Sequence, residues 1–206
     1  MTAGVVLAGG RSRRMGTDKA ALTSGGRTLL AHVLAVLAEA VDGPLVVVGA
    51  ADTPRTVPEE AARAIVVYDP VPDRGPLQGL ATGLRAVRAD PTAFVAAVDL
   101  PHLHADLVRA VVTHRVPTVE VALPVLDGHP QHLLAAYATD LADRADDLLA
   151  RGERSVGALV AASRVRELDA ATLLTDPRLA ARDPDLRGAR GVNTPEEWAR
   201  SRHEEP

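Results

Sequence analysis

The feature that most constrains this chain is a set of short apolar runs that are continuous rather than alternating: Ala3–Ala8, Leu45–Gly49, Ala64–Tyr68 and Ala93–Val98. Side chains on a strand point to opposite faces in turn, so a run with no polar member must be covered on both sides. The runs are separated by stretches with helical apolar spacing, over Thr28–Val41, Pro76–Val87, Asp106–His114, Asp140–Ala150 and Val156–Ala162. Val119–Leu126 and His132–Tyr137 read as further strands. The alternation predicts an α/β fold, a mostly parallel sheet with helices on both faces, in a single domain over residues 1–206. The stretch from Asp176 to Arg190, and on to about residue 192, is dense in Pro, Asp and Arg and reads as an irregular loop. A last helix over about 195–203 has a clear start in Thr194-Pro195-Glu196-Glu197: a Thr cap, Pro at the first helical position and Glu at the third.

Composition narrows the function. Apolar residues make up 47% of the 206, yet aromatics only 2%, so the core must be built from Ala, Val and Leu. A formal net charge of −4 argues against a general nucleic-acid binder, whose footprint is a basic face. The absence of cysteine excludes a disulfide framework, a thiolate metal site and a cysteine nucleophile, and fits a cytoplasmic setting. The N-terminus enters the first strand without the pattern of a signal peptide. No apolar stretch approaches the ~20 residues of a membrane span.

Ligands of open α/β sheets sit beyond the carboxyl ends of the strands, near the switch in strand order. Here the first strand ends in Gly9-Gly10, the third in Asp69 and the fourth in Asp99. The first also opens the string "VVLAGGRSRRMGTDKAAL", Val5–Leu22, in which small residues admit close backbone approach. Arg11, Arg13, Arg14 and Lys19 can neutralise a polyphosphate, Arg through paired donors and Lys as a point charge. Adjacent glycines do not fit G-x-G-x-x-G, and Gly16-Thr17-Asp18 does not fit the P-loop ending. His102 and His104 form an H-x-H without a third and fourth ligand at suggestive spacing, so zinc is not expected. No Ser-His-Asp or Cys-His set is evident.

"LAGGRSRRMGTDKA" resembles the signature loop of nucleotidyltransferases that use a nucleoside triphosphate, most closely the molybdenum cofactor guanylyltransferases. "GPLQGLATGL" at 75–84, "AVDLPHL" at 97–103, "GHPQHLLAAY" and "VNTPEEW" are similar to later segments of that family, in the same order. The resemblance implies a Rossmann-like sheet of the nucleotide-diphospho-sugar transferase type. It implies transfer of GMP from GTP to the phosphate of molybdopterin, with release of pyrophosphate. In that family's pattern Leu7, Ala8, Gly9 and Gly10 hold the guanine and ribose by backbone contacts, Arg14 and Lys19 bind phosphates, and Asp69 binds nucleotide. Asp99 binds Mg²⁺ and nucleotide, Asn193 lies near the same site, and His129-Pro130 lies by the acceptor. Arg14, Lys19 and Asp99 are thus the expected catalytic residues. GTP, molybdopterin and cofactor-insertion proteins are the expected partners, with neither nucleic acid nor membrane. Gly49 and Gly191 depart from the pattern, each standing where relatives have Asn. A molybdopterin cytidylyltransferase, a sugar-phosphate nucleotidyltransferase and a catalytically inactive nucleotide-binding regulator stay open as alternatives.

Overall fold

The computed structural model describes residues 1–9, 19–24, 26–50, 64–69 and 74–203. In chain order these form β1 (Thr2–Leu7), β2 (Thr23–Ser24), β3 (Arg27–Thr28), α1 (Leu29–Ala40), β4 (Leu45–Ala50) and β5 (Ile65–Asp69). Next come α2 (Pro76–Ala86), β6 (Thr92–Ala97), α3 (Ala105–Thr113), β7 (Val121–Leu126), β8 (His129–Pro130) and β9 (Leu134–Ala138). The chain ends with α4 (Leu141–Ala150), α5 (Val156–Ala161), β10 (Val165–Leu168), α6 (Ala170–Leu173), α7 (Pro177–Arg182) and α8 (Pro195–His203).

The main sheet has the order β10-β7-β9-β6-β1-β4-β5, with β8 hairpinned onto β7. β1 pairs in parallel with β4 on one side and β6 on the other. β4 pairs in parallel with β5, and β7 with β10. β9 runs against both β6 and β7, so the sheet is mostly parallel with one reversed strand among its long members. That reversed strand is the expected His132–Tyr137 run, shifted to begin at Leu134.

The central strands β1, β4 and β6 are dry on both faces, as their continuous runs require, whereas β5, expected to be covered in the same way, is an edge strand with Ile65 and Tyr68 exposed. Along β1 and beyond it Ala3 and Val5 face one core while Val6 and Ala8 face the other; along β6, Ala93 and Val95 oppose Phe94 and Ala96. The first core packs under α2, α4 and α5, and the second under α1 and α3. With Tyr137 and Phe94 as its bulkiest fully buried side chains, the interior relies on close approach of small residues. Gly83 on α2 shows how close. A methyl there would stand 2.5 Å from Val5 Cγ1 and 3.2 Å from Val48 Cγ2.

The stretch read as an irregular loop is ordered differently. Asp176 accepts hydrogen bonds from the Arg178 and Leu179 amides and starts the six-residue α7, with Pro177 at its first position. Asp183 then accepts from the amides of Arg187 and Gly188, and from His104 Nε2 at 3.2 Å. A short 3-10 turn, Arg187–Ala189, comes next. The expected start of α8 is present in full: Thr194 Oγ1 accepts from the Glu197 amide and Glu197 Oε2 from the Thr194 amide. No helix among the described residues is long and apolar enough to cross a membrane.

The tight helix-to-sheet contact makes a prediction. Gly83→Ala should destabilise the fold by about 1–3 kcal/mol, because the methyl meets a β-branched, fully buried neighbour. Gly79→Ala, whose methyl would find only ordinary contacts at 3.6–3.8 Å, should be neutral or stabilising. Urea unfolding of the two variants checks the contrast.

Candidate active site

The chain runs from β1 outward through β4 to β5, then returns to lay β6 on the other side of β1. The strand order therefore reverses at β1/β6, and a crevice is expected beyond the carboxyl ends of these two strands. Ala8 and Gly9 lie at one lip, and Val98 and Asp99 at the other.

Lys19 opens a short 3-10 turn, Lys19–Ala21, and its ammonium reaches into this crevice. Nζ donates to Asp99 Oδ2 at 2.7 Å and to Asn193 Oδ1 at 2.9 Å. The two charged side chains are only 14% and 20% exposed, so each charge has exchanged most of its water for the other. Asp99 Oδ1 accepts no hydrogen bond among the described residues. Asn193 is fixed from two directions. The Val192 amide donates to the Asp99 carbonyl at 2.9 Å, and the Asn193 amide donates to Glu197 Oε2 at 2.6 Å. The same Glu197 that caps α8 thus orients the residue facing Lys19.

Asp69 ends β5 at the same edge of the sheet. Its carboxylate packs on α2, where a methyl at Gly79 would lie 3.6 Å from Asp69 Oδ2 and 3.8 Å from Leu7 Cδ1. Leu7 and Asp69 therefore meet over Gly79. Burial raises the Asp69 carboxyl above its usual 3.8, against an opposing hydrogen bond from the Thr82 hydroxyl. Asp69 Oδ1 is buried and has no partner among the described residues.

Lys19, Asp99 and Asn193 are thus brought into direct contact, and Leu7, Ala8, Gly9 and Asp69 line the same edge. Gly10 and Arg14, like Arg11 and Arg13, lie outside the described residues. Gly9 has a structural reason of its own. A methyl there would come within 3.1 Å of the Ala50 nitrogen and 3.2 Å of the Gly49 carbonyl carbon, so the backbone of β4 already occupies that direction. Gly191 stands over Asp99, with a methyl there 3.5 Å from Asp99 Oδ1. His104 is a helix cap rather than a metal ligand, its Nδ1 accepting from the Leu107 amide at 3.4 Å. No group of three or more potential metal-binding side chains exists among the described residues. Sequence alone does not point to Arg154, whose carbonyl takes the Leu77 amide at the start of α2 and faces Gly75, a residue at φ +79°. The Gly-x-Arg of 152–154 is its only signal.

A lysine and an aspartate paired at the switch point of a parallel sheet, with a further carboxylate at the same edge, define a nucleotidyltransferase-type α/β protein. Kinship to known proteins carries the assignment further. The family model for the MobA-like NTP transferase domain matches residues 4–168, and the chain belongs to that family. It is 43% identical over 171 residues to the "Probable molybdenum cofactor guanylyltransferase" of Mycobacterium avium (strain 104), covering 81% of this chain and 84% of that one. Among solved structures, molybdopterin-guanine dinucleotide biosynthesis protein A from Archaeoglobus fulgidus superposes with a TM-score of 0.75 at 22% identity, over 98% and 97% of the two chains. The 2-C-methyl-D-erythritol 4-phosphate cytidylyltransferase of Thermus thermophilus shares the fold, with a TM-score of 0.66 at 18% identity over 98% of both. The matched family span stops at β10, so Asn193 is delivered by a segment beyond it.

The raised Asp69 carboxyl fixes a sign. A carboxyl whose folded pKa lies above its unfolded value contributes its stability below the unfolded value and loses it as pH rises through the folded one. At neutral pH ionised Asp69 therefore costs stability. Asp69→Asn should raise the melting temperature at pH 7, and the gain should shrink toward zero as pH falls below about 3.8. Thermal melts of both proteins across pH 3–8 measure it.

Proposed function

We propose that this chain transfers GMP from GTP to the phosphate of molybdopterin, releasing pyrophosphate. The observation that carries the reading is Lys19 held between Asp99 and Asn193 at the strand-order reversal, in a chain 43% identical to a relative named a molybdenum cofactor guanylyltransferase.

An oxygen of the acceptor phosphate attacks the α-phosphorus of GTP and forms the new P–O bond. The bond from the α-phosphorus to the bridging oxygen breaks, and its electron pair leaves with pyrophosphate. The acceptor phosphate is already ionised at neutral pH, so no general base is required. Catalysis then rests on alignment and charge neutralisation. Lys19 would turn its ammonium toward the phosphates while Asn193 holds its direction. Arg14 would add paired donors. The backbone at Leu7, Ala8, Gly9 and Gly10 would receive guanine and ribose, and Asp69 the polar face of the nucleotide. A buried carboxylate with an unpartnered oxygen suits a ligand that brings donors of its own.

Asp99 fits Mg²⁺: a hard oxygen donor at a strand end, with Oδ1 open and a glycine rather than a side chain above it. Bound there, the ion would neutralise phosphate charge, with waters and phosphate oxygens completing its shell.

The guanylyl assignment is tested by competition. GTP should be used in preference to ATP and CTP, because a base site built on hydrogen bonds leaves its polar groups unpaired with the wrong base. Equal use of CTP would replace the assignment with the cytidylyl one. Lys19→Ala should lower kcat/KM by about 10²–10³-fold, the scale for one preorganised donor. Asn193→Ala should cost about 10–100-fold, the scale of one hydrogen bond from a charged donor. Asp99→Asn should leave the fold intact and reduce turnover by at least as much as Lys19→Ala. Pyrophosphate release assayed for each variant, with and without a chelator, decides all four.

A further inference from the structure

Near Asp99 the tail borders a cavity of about 360 Å³. Its wall includes Arg187, Arg190 and Arg200, with His102 and Ser201. In a protein of net charge −4 this is a local excess of positive charge. Arg187 leans toward Asp185 at 3.8 Å, but among the described residues neither Arg190 nor Arg200 lies within ion-pair distance of a carboxylate. One carboxylate does line the cavity, that of Glu197, and its Oε2 is engaged by the Asn193 and Thr194 amides. Two further polar atoms in the wall residues are buried without a partner among the described residues: His102 Nε2 and Ser201 Oγ, the serine being 8% exposed. Unpartnered buried donors are costly, and natural proteins keep few of them.

The cavity adjoins the reacting region. Gly191 lines it and also covers the Asp99 carboxylate, and Val192 lines it while its amide holds the Asp99 carbonyl. Guanidinium groups recognise phosphate through paired donors. We infer that this cavity is an anion site that takes the phosphate-bearing end of the second substrate, with Arg190 and Arg200 as its principal donors and Ser201 and His102 completing the shell. It rests on the proposed function only for the identity of the substrate that carries the phosphate; the anion site stands on the cavity itself.

The probe is inorganic phosphate, titrated calorimetrically into the full chain. The wild type should bind it, and the double variant R190A/R200A should bind at least tenfold more weakly. R178A, an exposed arginine removed elsewhere, should bind as the wild type does. Unchanged phosphate binding in the double variant overturns the site. In the transfer assay the double variant should raise the acceptor KM at least tenfold while the KM for GTP stays within twofold, and R190K/R200K should recover part of the loss. Phosphate should inhibit competitively with acceptor and not with GTP. Weakened phosphate binding with an unchanged acceptor KM, or competition with GTP, overturns the assignment to the second substrate. A wild type that binds phosphate through Arg190 and Arg200 but transfers no GMP would sink the proposed function and leave the anion site standing.

Discussion

The site depends on β1 being held in parallel between two neighbours that the chain reaches by opposite routes. Val5 pairs with Val46 on one side and Val95 on the other, and Leu7 with Val48 and Ala97. Because β4 and β6 lead away in opposite directions, no single crossover helix closes the gap above β1, and the loops there are left to form a crevice. The requirement propagates backward into composition. A strand buried on both faces between two helical layers needs small apolar residues, and α2 settles on it through Gly83 where any larger residue would strike Val5. The same economy lets Gly9 itself lie against the end of β4.

Into this crevice the chain brings groups from far apart. Asp99 lies 80 residues and Asn193 174 residues beyond Lys19, yet both accept from its ammonium. A charge pair this deep is costly to desolvate and is held together by its own attraction and by well-made hydrogen bonds. It therefore defines a single arrangement of three separate segments before any substrate arrives. Asp69 shows the opposite balance. Its carboxylate is pushed toward the neutral form by burial and has one oxygen without a partner among the described residues, a local cost to stability at the edge of the crevice. The two carboxylates at one sheet edge differ through their environments: Asp99 is paired with an ammonium, whereas Asp69 has only the Thr82 hydroxyl and one buried oxygen without a partner among the described residues.

How much of this is legible in the sequence depends on which signals are local. The continuous strands and the long amphipathic helices can be read because burial on both faces leaves a plain mark in sequence. The capping box at Thr194 can be read for the same reason: its four residues carry the whole hydrogen-bond scheme. β10 and α6 leave no such mark, since Val165–Leu168 is short, edge-placed and half exposed, and α6 has only four residues. α7 reads as loop although Asp176-Pro177 carries a cap and first-turn signal, because six residues cannot show a helical period. At the site, Lys19, Asp69, Asp99 and Asn193 are legible from strand ends and motif order. The unpartnered state of Asp69 is not, as it depends on how α2 lies across Leu7. Nor is the role of Asp183, which works through three contacts set by the fold of the tail.

The tail completes the site. The family match ends with β10, and the segment beyond departs from the pattern at Gly191, yet it is firmly built. Asp183 draws in the Arg187 and Gly188 amides and ties them to His104 at the start of α3, the helix that comes after Asp99. From this anchor the chain passes over the Asp99 carbonyl at Val192 and turns into α8 through Thr194 and Glu197. An asparagine at 191 would stand on the Asp99 carboxylate, whereas glycine leaves Oδ1 open. The groups that border Asp99 from this side are then the arginines and amides of the tail, while Lys19 holds its carboxylate from the other.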